Sequence, residues 1–196
     1  MQSITGGDLL LAFEDGGLLK SIHRVSSGYR FTTEGAGGTP WRLIVRDEAG
    51  HSRTVTARDA RACCIEREGA ALRLTWQEIA GAPGIVVHVS IAPAEDGLAW
   101  RLSVDGLHGG AALWQADFPL LEGLSPIGEG DDERLLLPMR GGYVVRNVAG
   151  ARLSPLEEDA ACFSYPCDLT MQFVARYQEG GDGLLLMAQD AAGYTK

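Results

Sequence analysis

The sequence predicts an all-β protein, a two-layer antiparallel β-sandwich, on three observations. Apolar residues recur with a period of two, turn chemistry interrupts the chain at short intervals, and no convincing 3.6-residue pattern marks a long helix. Successive strand side chains point to opposite faces, so strict alternation is the pattern of a strand with one face buried.

The elements follow in order. Asp8–Glu14 and Leu18–Val25 read as an opening hairpin around Asp15-Gly16-Gly17. Trp41, Leu43 and Val45 then share one face, and Ser52–Ala57 and Ala60–Glu66 are further candidate strands. Leu72, Leu74 and Trp76 alternate with Arg73, Thr75 and Gln77. Ile85, Val87, Val89 and Ile91 alternate with Val86, His88 and Ser90. Leu98, Trp100, Leu102 and Val104 alternate with Ala99, Arg101, Ser103 and Asp105. Shorter candidates lie at Leu113–Phe118, Leu135–Leu137 and Tyr143–Arg146. Met171, Phe173, Ala175 and Tyr177 continue the period of two, and Leu184–Gln189 closes the set. Glu68-Gly69, Glu95-Asp96-Gly97 and Gly180-Gly181-Asp182-Gly183 supply the reversals, because Gly and Asp tolerate positive φ. Many short strands with dense turns imply two packed antiparallel sheets or a barrel.

At 196 residues the chain reads as one domain, 1–196, long enough to bury a core without disulfides or metal. The polar, Gly-rich stretch Gly123–Asp132 and the longer excursion Asn147–Cys162 do not look like linkers. The net charge of −9 (26 acidic against 17 basic residues) and the presence of only two lysines, Lys20 and Lys196, argue against nucleic acid and anionic membranes. A neutral ligand such as a sugar fits without conflict. The N-terminus lacks the basic start and apolar core of a signal peptide, which makes the cytoplasm the expected location. Cys63-Cys64, Cys162 and Cys167 do not have zinc-ligand spacing. All four read as buried or neutral thiols, with a Cys162–Cys167 bridge as the alternative.

Chemistry is sparsely encoded. The chain has no G-x-S-x-G elbow, Walker loop or H-E-x-x-H motif, and neither cofactor nor metal is expected. Asp131-Asp132-Glu133 is the densest acidic run and reads as a solvated turn. Of the four histidines, His51 and His108 fall beside glycines, His23 follows a hairpin, and His88 lies on the polar side of a strand. None pairs in sequence with a convincing base. Trp41, Trp76 and Trp100 are in phase with aliphatic neighbours and read as core, whereas Trp114 and Tyr143 have mixed flanks.

The ordered set of segments resembles a known architecture. It comprises Leu11-Ala12-Phe13 with Gly16-Gly17-Leu18 and Ser21-Ile22, then Gly28–Phe31, Pro40–Leu43 and the Trp76 strand. Leu98–Val104, Phe118–Leu121, Leu135–Gly142, Tyr165–Phe173 and Leu184–Lys196 follow. This series is similar to the N-terminal β-supersandwich, of galactose-mutarotase-like fold, that precedes a (β/α)8 catalytic barrel in some large bacterial glycoside hydrolases. The resemblance implies a piece of a longer multidomain protein, with catalytic acids supplied by the barrel and none by this chain. It further implies a non-catalytic accessory domain that packs on the barrel and contributes a loop to carbohydrate binding. Arg140, Tyr143, Asp190, Tyr194 and Lys196 are the candidate contacts to carbohydrate or to the neighbouring domain. Two other readings stand beside it, an independent carbohydrate-binding module and a free-standing aldose epimerase-like enzyme.

Overall fold

The structure, a computed structural model, describes residues 1–35, 37–128, 132–139, 141–148 and 168–189. The chain divides into two compact units, Met1–Ser125 and Pro126–Lys196. Among the described residues there is no α-helix; the one helical element is a single 3₁₀ turn at Ala57–Asp59. That turn is closed by a capping box in which Thr56 and Asp59 satisfy each other's backbone amides.

The first unit holds ten strands in three antiparallel sheets. Strands β1 (Gln2–Gly6), β2 (Leu9–Phe13) and β3 (Leu19–Arg24) form a meander. Strands β4 (Arg42–Arg46) and β5 (Ser52–Thr56) pair with β10 (Ala112–Asp117) in the order β10-β4-β5. Four long strands, β6 (Ala60–Glu68), β7 (Ala71–Ile79), β8 (Val86–Ala94) and β9 (Gly97–Asp105), form a second meander.

The alternation read from sequence is the alternation of burial. Leu72, Leu74, Trp76, Val87, Val89 and Ile91 are fully buried, while Arg73, Thr75, His88 and Ser90 between them are half-buried. Aromatic rings join the layers edge to face. Trp41 meets Trp76 at 5.7 Å between centroids, and Trp100 meets both Phe13 and Phe118 at 6.0 Å. Trp100 therefore packs as expected, although it is half-buried where Trp41 and Trp76 are sealed.

Two glycines mark close backbone approaches. A Cβ on Gly6 would lie 2.3 Å from the Gly97 carbonyl oxygen, so β1 can reach the β8–β9 hairpin only without a side chain there. Gly106 has φ +80°, and a Cβ on it would sit 1.9 Å from the Gly84 oxygen. With the antiparallel sheets of this unit packed through an aromatic and aliphatic core, the described residues make an all-β protein, the arrangement of a β-sandwich.

Among its described residues, the second unit forms an antiparallel sheet in the order β12-β11-β13-β14. Its strands are β11 (Glu133–Leu137), β12 (Tyr143–Arg146), β13 (Phe173–Gln178) and β14 (Gly183–Met187). Met171, expected to begin a strand, precedes β13 and is exposed. The acidic run also departs from expectation. Glu133 is not in a solvated turn but is a buried residue of β11, in phase with buried Leu135 and Leu137. Its charge is matched by Arg176, whose Nε and Nη2 donate to Glu133 Oε1 at 2.8 and 2.5 Å, and the Ile127 amide adds a third donor at 3.2 Å. Local composition suggested solvent, but a tertiary partner made burial affordable.

Candidate functional site

Among the sequence-nominated contacts, Tyr143 lies within the described structure; Arg140, Asp190, Tyr194 and Lys196 fall outside the described residues, as do Cys162 and Cys167. Tyr143 opens β12, pairs with Leu137 across the ladder and is 60% exposed.

The C-terminal sheet carries a second feature on its other face. Val144 pairs with Leu136, Leu136 with Ala175, and Ala175 with Leu185, so these four side chains form one row across the sheet. Phe173 and Met187 pair beside them on the same face. Val144, Leu185 and Met187 are exposed by 49%, 60% and 55%. The buried residues Leu135 and Leu137 point the opposite way, so these strands are apolar on both sides.

No protein-family model matches the chain, and no curated protein matches it. Function therefore has to be argued from the sites themselves.

A histidine does find a carboxylate. On the polar face of the long meander, His88 Nε2 lies 3.2 Å from Asp105 Oδ2, and His88 Nδ1 lies 3.0 Å from Thr75 Oγ1. Register explains the set, since Thr75 is the direct cross-strand partner of His88 and Asp105 is its diagonal neighbour on β9. Sequence reading left His88 without a base because the link spans a ladder. The Asp105 side chain is 71% exposed, so the pair lies on an open sheet face with its carboxylate hydrated.

A cleft of about 370 Å³ is lined by Glu14, Leu18, Gly37, Gly38, Arg58 and Glu122. Two of its three charged groups, Arg58 and Glu122, hold backbone. Arg58 donates to the Gly37 carbonyl, and Glu122 Oε2 accepts from the Thr39 amide at 2.9 Å. These bonds fix the strand-like segment before β4, and the cleft reads as a by-product of that fixing. Among the described residues, no group of three or more His, Cys, Asp and Glu side chains is placed to hold a metal ion.

The remaining feature is Trp114, 59% exposed on the edge strand β10. Leu113 pairs with Val45 and Gln115 with the very next residue, Ile44, so Trp114 is the extra residue of a β-bulge. The Arg46 guanidinium lies over its ring, 3.5 Å from the centroid. The bulge had a sequence signal. In Ala112-Leu113-Trp114-Gln115-Ala116-Asp117, strict alternation would put Leu113 and Gln115 on one face, and one inserted residue resolves that conflict.

Proposed function

We propose that the chain is a non-catalytic accessory β-sandwich domain of a glycoside hydrolase, one that packs on the catalytic barrel and contributes a loop to carbohydrate binding. The observation that carries this reading is the row Val144, Leu136, Ala175 and Leu185, with Phe173 and Met187 beside it. Short continuous apolar runs, such as Leu135–Leu137 and Leu184–Met187, are consistent with strands buried on both faces. Half-exposed Val144, Leu185 and Met187 await such a cover. An in-register sheet face suits a folded domain, whereas a small molecule takes a concave pocket. Covering it returns roughly 25 cal/mol for each Å² of apolar surface removed from water.

The partner is assigned by the resemblance of the ordered segments to a galactose-mutarotase-like sandwich ahead of a (β/α)8 barrel. On this reading the hydrolytic carboxylates belong to the barrel. Arg140, Tyr143, Asp190, Tyr194 and Lys196 are contacts to sugar or barrel, and the exposure of Tyr143 supports its place in that set.

The test is turnover. The purified chain is expected neither to hydrolyse aryl glycosides nor to speed aldose mutarotation followed by polarimetry. Activity that survives purification and disappears in His88→Ala or Asp105→Ala would contradict the proposal and favour an enzyme built on that pair.

A further inference from the structure

The geometry points to a sugar-stacking platform at Trp114, on the outer face of the β10-β4-β5 sheet, that takes a neutral oligosaccharide. Its ligand class rests on the reading above, but its evidence is separate and lies in the first unit.

Trp41 and Trp76 are sealed in the core, so the exposure of Trp114 is not the habit of this chain's tryptophans. The bulge turns it out of the ladder, and Arg46 then holds it. Arg46 Nε donates in turn to Ser52 Oγ at 3.2 Å, which anchors the guanidinium over the ring. A guanidinium on one side of an indole limits its rotamers, and Trp114 still leaves 59% of its surface exposed. A ring ordered before binding loses less entropy when a ligand arrives.

The surroundings select the ligand. On the outer face, beyond Trp114, Arg42 Nε donates to Asp117 Oδ2 at 2.5 Å, and Gln115 Nε2 donates to Asp117 Oδ1 at 2.7 Å. Gln115 and Arg42 are exposed and keep further donors and acceptors for a ligand. A pyranose has an apolar C–H face to lay on the indole and a rim of hydroxyls to bond the polar cluster. At roughly 3.3 Å per residue along a strand, the cluster begins beside the ring and ends about 10 Å from it. That reach suits two or more linked sugars running along β10. An apolar protein partner would leave Asp117, Arg42 and Gln115 poorly matched.

The experiment uses the whole chain. Cellotriose, maltotriose and lactose are titrated by calorimetry and by tryptophan fluorescence, and retardation is measured in gels carrying soluble β-glucan, xyloglucan or galactomannan. Saturable binding to at least one probe is expected, weakened by about tenfold or more in Trp114→Ala and partly kept in Trp114→Phe. Gln115→Ala is expected to weaken it as well. Because Trp114 is a surface residue, both Trp114 variants are expected to melt as the parent does, which separates lost binding from lost fold. No saturable binding across the panel would overturn the proposal, as would binding that Trp114→Ala leaves unchanged. Concentration-dependent self-association abolished by Trp114→Ala would overturn it too, by making the ring a protein contact. Loss of the platform would leave the docking face untouched, since that face is read at Val144, Leu185 and Met187.

Discussion

Asp8 is a surface carboxylate with more partners than a surface usually gives. It sits in the turn between β1 and β2 and receives the Ser26 hydroxyl, the Arg24 guanidinium at 2.7 Å and the Ser26 amide at 2.8 Å. The Ser26 hydroxyl bond, then that of Arg24, hold its carboxyl down at about 2. The folded state thus binds this proton less readily than the unfolded chain does. The stabilisation is complete above the usual carboxylate range and is lost as pH falls from about 4 through about 2. Between pH 5 and pH 2 the melting temperature of the parent is expected to fall further than that of Asp8→Asn, followed by circular dichroism. Parallel curves for the two proteins would remove Asp8 from the account. None of this was legible in the sequence, where Asp8 reads as the first residue of the opening hairpin. Its three donors come from the far end of the hairpin.

At the scale of elements, legibility depended on how each strand is buried. The central strands β7 and β8 could be read almost residue by residue, because every second residue is sealed in the core and those between are half-buried. Strand β1 was not foreseen, since Gln2–Gly6 has too few apolar residues to show a period and gains its place by pairing with β2. The C-terminal sheet was harder still. Its strands are apolar on both faces, and its buried acid imitates a turn. Glu133 and Arg176 clamp β11 to β13, and the Glu133 side chain is 4% exposed. Removing one member of a buried pair strands the other charge, so Glu133→Ala is expected to cost about 3 kcal/mol in urea unfolding. A loss no larger than that of an ordinary surface substitution would mean that the clamp does not hold the sheet. The bulge at Trp114 belongs to the same lesson, because its signal was a broken alternation that only the register against β4 explains.

At the scale of the molecule, two compact units carry two different surfaces. The first unit presents polar sheet faces, one bearing His88 with Asp105 and one bearing Trp114 under Arg46. The second presents a sheet face with the apolar row Val144, Leu136, Ala175 and Leu185, which the pair Arg134 and Arg146 borders on the same face. Composition gave the expectation that neither nucleic acid nor anionic lipid is the partner, and it left open whether any surface was built for another one. The sequence signal for that surface was the run of consecutive apolar residues in Leu135–Leu137 and Leu184–Met187. Periodicity alone cannot say which side of such a run meets the core. The account's central claim is that this face is covered by a neighbouring catalytic barrel. Amide hydrogen exchange on β12 and β14 tests it most directly, compared between this chain alone and the native full-length polypeptide. Added protection around Val144, Leu185 and Met187 in the full-length protein, removed by Leu185→Glu with Met187→Glu, is the predicted result. Equal exchange in the two forms, or a native polypeptide that carries no barrel, would contradict it.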